Sequence, residues 1–429
     1  VCVNSNKKMA LRMAGLSLMG VLLLSGCGNT GKSAVAAASS TSASETSNEA
    51  GKGSKVSQPA ENVDAQVAEA SLPQPGEAIS ASLTWKSRME LAYATQFAVD
   101  IYEDADGMQY EAVSVADGSR FLLIPEGGKV PEDLPDSIQV LKRPVKQIYL
   151  VATATMDMFR MLGALPDIRF SGTDASGWYI PEAKEAMENG SILYAGKYSE
   201  PDYETLVDGD CDLAIESTMI LHTPKVQEMI EDLDIPVFID RSSYESHPLG
   251  RTEWIKAYAA MLNKEDVADT FFEKQTKVIE NLKDFKNTGK TVAYFFVNAD
   301  GTVVVRSSKD YIPKMIGIAG GKYIFSDLKN TESKSASVEL SMEEFYSKAE
   351  EADYLIYNAT IDSPINSIAE LTAKNELFKD FKAVKNGNVW CTGKSLYQAT
   401  DIVGNLITDI HLMLTDGDEK DMTFLYRVK

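Results

Sequence analysis

Between residues 97 and 125 apolar and polar positions alternate in the β manner, over Phe97–Glu103, Tyr110–Ala116 and Arg120–Pro125, with the turn pairs Asp106-Gly107 and Asp117-Gly118 between them. This predicts a small antiparallel entry sheet. From Lys146 the pattern changes to short apolar runs separated by helical periodicity. Strands are predicted at Lys146–Ala152, Ile168–Gly172, Ile192–Ala195, Asp212–Glu216 and Val237–Asp240, and helices at Met156–Leu162, Pro181–Glu188, Tyr203–Val207 and Pro224–Asp232. Such alternation predicts an α/β lobe with a largely parallel sheet. Arg251–Leu262 is predicted helical. Over Lys264–Lys286 the stripe Val267, Phe271, Val278, Leu282 and Phe285 then predicts an amphipathic helix. At 1.5 Å per residue that helix would span roughly 34 Å, enough to act as a spine between two lobes. The alternation restarts with strands at Thr291–Asn298, Thr302–Arg306, near Tyr323 and at Tyr354–Asn358. Its helices are predicted at Tyr311–Gly317, Met342–Lys348, Ile365–Leu371 and Ile402–Leu414.

The chain before this body has a different character. Lys7, Lys8 and Arg12 precede an apolar run, Met13–Leu24, of the length expected for an export signal and too short to span a bilayer comfortably. The run ends in Leu24-Ser25-Gly26-Cys27, which resembles the lipobox of bacterial lipoproteins; the resemblance implies lipid on the Cys27 sulfur and cleavage before it. Gly26–Ser33, GCGNTGKS, satisfies the phosphate-loop pattern letter for letter, but it has no strand before it and no helix after it to cradle a phosphate. From Gly28 to Ser71 there is no aromatic residue, Leu, Ile or Met, so the segment is expected to be a disordered tether. The expected organisation is a signal over 1–26, lipidated Cys27 and tether over 27–76, an N-terminal α/β lobe over 77–250, connecting and spine helices over 251–287, and a C-terminal α/β lobe over 288–429.

Composition narrows the chemistry. With 42 Lys plus Arg against 63 Asp plus Glu in 429 residues, the net charge of −21 repels phosphate backbones, so nucleic acid is not an expected partner. Only three histidines are present, His222, His247 and His411, too few and too scattered for a multi-histidine metal cage. Neither a resident metal nor another cofactor is expected. No G-x-S-x-G elbow is present, and no carboxylate pair stands in a hydrolase-like context, so no enzyme activity and no catalytic residue are expected. A bare-metal carrier and a lipid-anchored hydrolase remain the less favoured alternatives. Cys211 and Cys391 lie in apolar strand-like surroundings and are expected to be buried free thiols rather than a disulfide. His247, before Pro248, either orders a turn or ligates a haem iron; without a second ligand the turn role is preferred. His411 is expected to pack within a helix.

An internal echo links the halves. Tyr203-Glu204-Thr205-Leu206 followed by Cys211-Asp212-Leu213-Ala214-Ile215 parallels Met342-Glu343-Glu344-Phe345 followed by Ala352-Asp353-Tyr354-Leu355-Ile356. Further marks, in order, are Leu162-Gly163-Ala164, Ile235-Pro236-Val237, Glu253-Trp254-Ile255-Lys256, Ala319-Gly320-Gly321-Lys322 and Gly387-Asn388-Val389-Trp390. From about Gln96 onward the chain resembles the periplasmic-binding-protein family that delivers iron–siderophore complexes, haem or cobalamin to ABC importers. The resemblance implies two α/β lobes with mostly parallel central sheets, joined by one long spine helix, with a ligand cleft between them. It implies a monomer that carries a small metal complex, most readily a ferric siderophore, with haem or cobalamin as alternatives. The implied partners are transmembrane permease subunits with a cytoplasmic ATPase, docked through one acidic residue per lobe, Glu204 and Glu343. Because ligands of open α/β sheets sit beyond the strands' carboxyl ends, the candidate contacts are Thr155, Trp178, Tyr179, Tyr198, Thr218, Met219, Arg241 and Tyr244 in the first lobe. In the second they are Arg306, Lys309, Tyr311 and Tyr397, with aromatic faces for stacking and cations for anionic oxygen.

Overall fold

A computed structural model describes residues 71–282, 284–328, 337–399 and 403–429. The signal, Cys27, the phosphate-loop look-alike and nearly all of the tether lie outside the described residues. No helix among the described residues is long and apolar enough to cross a membrane.

The entry sheet has five strands in sequential order: β1 (Thr84–Arg88), β2 (Phe97–Glu103), β3 (Gln109–Val115), β4 (Arg120–Ile124) and β5 (Ile138–Lys142). The three alternating segments become the antiparallel centre, as expected. β1 and β5 were not predicted. β1 is a polar run with one large apolar residue, and β5 joins β4 in parallel after a Pro- and Asp-rich loop. One face of the sheet packs Phe97, Val99, Val113, Phe121 and Leu123 into a core shared with the first lobe. The other buries Tyr102, Tyr110, Leu122 and Ile138 in a small cluster of its own.

The first lobe runs β6 (Ile148–Leu150), α1 (Met156–Met161), β7 (Ile168–Ser171), α2 (Pro181–Glu188), β8 (Leu193–Tyr194), the hairpin β9 (Gly196–Lys197) and β10 (Glu200–Pro201), α3 (Tyr203–Asp208), β11 (Leu213–Ser217), α4 (Pro224–Glu231) and β12 (Val237–Asp240). Its five-stranded sheet, in the order β12-β11-β6-β7-β8, is parallel throughout. Three helices follow: α5 (Pro248–Glu253), α6 (Ile255–Leu262) and α7 (Glu265–Glu280). The second lobe runs β13 (Thr291–Val297), β14 (Val303–Arg306), α8 (Tyr311–Ile318), β15 (Lys322–Tyr323), β16 (Ser337–Leu340), α9 (Met342–Ala349), β17 (Tyr354–Tyr357), α10 (Ile368–Lys374), α11 (Lys382–Lys385), β18 (Val389–Thr392), α12 (Val403–Leu414) and β19 (Leu425–Arg427). Its seven-stranded sheet is parallel at the centre, where β17 lies between β13 and β18, and antiparallel toward both edges through β14, β16 and β19. Two α/β lobes with an intervening helix agree with the expected fold class.

The spine differs in length. α7 has 16 residues, about 24 Å at 1.5 Å per residue, rather than the full Lys264–Lys286. Leu282 and Phe285 keep helical phase, but the chain turns: the Phe285 N–H donates to the Leu282 carbonyl, and the Phe285 ring meets His411 edge-on at 4.4 Å. Their apolar surface therefore joins the second lobe instead of extending the helix. Upstream, Asn263 in the left-handed region lets α6 turn back into α7. His247 caps α5 by accepting the Leu249 N–H at Nδ1, and its ring stacks on Tyr93 at 4.3 Å. Burial lowers its pKa to about 4, so the imidazole is neutral and acts as the turn residue it was expected to be. Cys211 and Cys391 are both buried and unpaired, as expected.

Two buried carboxylates tie the entry sheet to these helices. Glu253 accepts the backbone N–H groups of Ala92, Tyr93 and Ala94, each at 2.8 Å. Glu245 accepts those of Thr95 and Gln96 together with the Trp254 indole N–H. Backbone donors converging on a carboxylate offset its desolvation, which is costly when either side is left unpaired. Glu253→Gln keeps the shape but turns one acceptor into a donor facing N–H groups. It is expected to lower the free energy of unfolding by about 2–4 kcal/mol, measured by denaturant titration. A change below about 0.5 kcal/mol, the level of ordinary surface substitutions, would show that this nest is not structural.

Candidate functional site

Parallel strands end together, so the first lobe gathers its post-strand turns at one edge. Leu150 of β6 is level with Ile215 of β11 and Ser171 of β7, and Ser217 of β11 with Asp240 of β12. The turns Thr153–Thr155, Ala175–Gly177, Thr218–His222 and Ser242–Tyr244 follow these ends. The second lobe presents Lys394–Gln398, the turn after β18, against Thr153–Thr155. Here the lobes touch. The Tyr179 and Tyr397 rings meet edge-on at 6.1 Å, and the Gln398 side chain bonds to the backbone on both sides of Trp178. A second junction lies at α5, where the Arg251 guanidinium stands over the Tyr311 ring at 4.3 Å.

Along this edge Arg241 differs from the other candidates. It follows β12, is 4% exposed, and stacks its guanidinium on the Tyr244 ring at 4.4 Å. Its Nε and Nη1 are buried with no hydrogen-bond partner. A buried guanidinium without an acceptor is costly, and an anionic oxygen would relieve that cost. Tyr244, whose ring carries the guanidinium, is 45% exposed, and Tyr179, in the loop after β7 three strands along the same edge, is 46% exposed. Tyr397 is half-buried, and burial raises the pKa of its hydroxyl. Beneath them Asp240 accepts from Ser242 and from Tyr258; burial raises its pKa despite these bonds.

The remaining candidates divide. Thr155 is fully buried and donates to the Ala152 carbonyl, and Trp178 is buried with its indole N–H toward Ser171 Oγ and the Thr173 carbonyl; both belong to the framework of the turns. Thr218 and Met219 are half-buried in the turn after β11, and Tyr198 is half-buried in the β9–β10 turn. Lys309 is exposed just ahead of α8, and Tyr311 opens that helix against Arg251. Arg306 corrects the expectation that every strand end opens toward the cleft. β14 runs antiparallel to β13, so its carboxyl end points opposite to those of β13, β17 and β18, away from Asn298. Arg306 is buried there, with Nη1 at 3.9 Å from Asp310 and 3.4 Å from Ser337, and its backbone is bracketed by the Tyr323 hydroxyl. Gln398 and Arg251 were not singled out from the sequence. The backbone partners of Gln398 are 219 and 221 residues away, and no local pattern marks such a pairing.

Glu204 and Glu343 occupy matching places. Each is the second residue of a helix, α3 or α9, and each is exposed. The preceding caps match as well, Asp202 accepting the Thr205 N–H and Ser341 the Glu344 N–H, both at 3.1 Å. Beside Glu204 lies an open depression of about 390 Å³ lined by Arg169, Leu193, Asp202 and Asp208 among others. Among the described residues no three or more His, Cys, Asp or Glu side chains are grouped to hold a metal ion.

A family model described as periplasmic binding protein matches residues 150–396, more than half of the chain. The chain belongs to this family. It is a substrate-binding protein, and the match begins after the entry sheet. An uncharacterized lipoprotein of Methanocaldococcus jannaschii is 24% identical over 349 residues, 76% of this chain and 80% of its own. A second uncharacterized lipoprotein of that organism is 26% identical over 336 residues, 75% of this chain and 83% of its own. Among solved structures, the periplasmic heme binding protein HutB of Vibrio cholerae shares the fold with a TM-score of 0.51 at 16% identity, covering 63% of this chain and 98% of HutB. A possible iron-binding, periplasmic solute-binding protein of Staphylococcus epidermidis does so with a TM-score of 0.50 at 16% identity, over 63% and 98% of the two chains.

One buried acid near the site has no such partner. Glu216, near the carboxyl end of β11, is fully buried with both oxygens unbonded, and burial raises its pKa well above the ordinary carboxylate range. At low pH it is neutral in folded and unfolded chains alike. As pH rises the unfolded chain ionises first, so this group draws stability down until the folded-state pKa is passed. Glu216→Gln is expected to leave stability at pH 4 nearly unchanged and to raise it at pH 8, by thermal unfolding at both values. An equal change at both would mean that Glu216 is charged in the native state.

Proposed function

We propose that this protein is the extracytoplasmic binding component of an ABC importer, anchored through lipid on Cys27, and that its cargo is an anionic, oxygen-rich iron complex of the ferric-siderophore class. The observation that carries the ligand class is Arg241, a buried guanidinium with unbonded N–H groups stacked on the exposed Tyr244 ring, with Tyr179 exposed further along the same edge of the lobe. A ferric complex with carboxylate or catecholate oxygens supplies acceptors for those N–H groups and flat surface for the tyrosines. The naming of two relatives as lipoproteins supports the anchor, as do the residues leading to Cys27. Haem is the second reading, favoured by the likeness of fold to a heme-binding protein, with propionates in place of the siderophore oxygens. In either case the chain binds its cargo and does no chemistry on it.

Titrating the purified mature chain with ferric catecholate, ferric citrate, ferric hydroxamate, haemin and cobalamin, with tryptophan fluorescence as the readout, tests this reading. An anionic ferric complex should bind, and Arg241→Ala should weaken it by roughly 10- to 100-fold, the range of a charge-assisted contact. Tightest binding of the hydroxamate or of cobalamin, undisturbed by Arg241→Ala, would refute an anionic cargo.

Glu204 and Glu343 are proposed as the permease contacts, one per lobe, meeting arginines through charge-assisted bonds that orient the docked protein. Reversing both to Arg is expected to abolish uptake in cells while leaving affinity for the ferric complex within about twofold. Normal uptake by the double variant would exclude the docking role.

A further inference from the structure

Gln398 is 1% exposed, and its amide is fully engaged across the junction of the lobes. Its Oε1 accepts the Tyr179 N–H at 2.8 Å, while its Nε2 donates to the Gly177 carbonyl at 2.8 Å and to the Tyr397 hydroxyl at 2.9 Å. Such a side chain mimics one rung of a β-ladder, pairing with a donor and an acceptor on the same strand of backbone. The two sides of this contact are built differently. On the first lobe, Trp178 lies between the two bonded residues, buried, with its indole N–H held within the lobe. On the second, the contact is carried by a short turn, Lys394–Gln398, that follows Gly393 and whose first residue is exposed. The Tyr179 and Tyr397 rings meet beside the amide.

We propose that the turn Lys394–Gln398 is a strap that closes the ligand cleft, and that the Gln398 amide is its latch: cargo enters and leaves only when the bonds to Gly177 and Tyr179 are broken. The inference rests on the cleft being the binding site and adds how access to it is controlled. Because the latch bonds are neutral and made between lobes, they stabilise the closed arrangement without contributing to the fold of either lobe. Their strength sets the open fraction, and the open fraction scales the rate of entry. An amide suits this task better than an ion pair, since the latch then holds equally across pH and ionic strength.

The amide proton of Tyr179 reports the latch directly, because its acceptor is Gln398. Hydrogen exchange at Tyr179, followed in the unliganded protein by NMR or mass spectrometry, should speed up at least tenfold in Gln398→Ala, while amides of α6 stay as in the unsubstituted protein. Gln398→Glu keeps the acceptor for Tyr179 but, when ionised, places a carboxylate against the Gly177 carbonyl, and should exchange at an intermediate rate. Gln398→Met preserves volume without either bond and should match Gln398→Ala. In stopped flow with a ferric catecholate, association and dissociation should both accelerate in Gln398→Ala. Unchanged exchange at Tyr179 in both Gln398→Ala and Gln398→Met would overturn the latch. If no ferric complex binds any variant, the cargo assignment fails, while unchanged exchange at Tyr179 still overturns the latch on its own.

Discussion

The entry sheet, the first lobe and the helices that lead to the second lobe are one mechanical body because two carboxylates hold them so. Glu245 precedes α5 and Glu253 ends it, and both accept backbone N–H groups of residues 92–96, the stretch that leads into β2. Arg143, after β5, adds a second fastening to Glu111 of the sheet and Glu265 at the start of α7. The sheet is thereby joined to the connecting helices at two separate places. Bending at α7 therefore carries the sheet with the first lobe.

This brace explains the asymmetry of the cleft. The groups proposed to meet cargo from the first lobe, Arg241 with Tyr244, and the loop around Trp178 are supported by strand ends in register and by the shared core. The second lobe offers a turn, Lys394–Gln398, and the start of α8, whose Tyr311 rests on Arg251. On the proposed reading, recognition lies on the braced side and adjustment on the turn that carries Gln398. A carrier that must both grip and release its cargo is served by this division.

Much of the fold could be read in the residues because β6, β7, β11 and β12 of the first lobe are short, largely buried runs separated by helices with clear starts. Pro181, Pro224 and the caps Asp202 and Ser341 mark those starts where the helices are found. The pattern misled where an apolar residue had two equally good uses. Leu282 and Phe285 fit the stripe of α7, yet they end it and cover the second lobe. Arg306 ends a strand as a ligand residue would, but only the pairing direction of β14 shows that this end is turned away. Residue type and position after a strand placed Arg241, Tyr179, Tyr244 and Tyr397 at the strand-end edge, where the structure has them. Local sequence carries no trace of Gln398 or the Glu245–Glu253 nest, whose backbone partners lie 149 to 221 residues away.

The two thiols have a bearing on how the protein matures. Cys211 belongs to the first lobe and Cys391 to the second, each shut inside its own core, and burial pushes the Cys211 thiol up to about 12 and raises that of Cys391. Thiolate, the species that attacks disulfides, is therefore suppressed at both positions. Among the described residues no disulfide staples one half to the other. The native packing of these two halves thus does not depend on the redox state of Cys211 and Cys391.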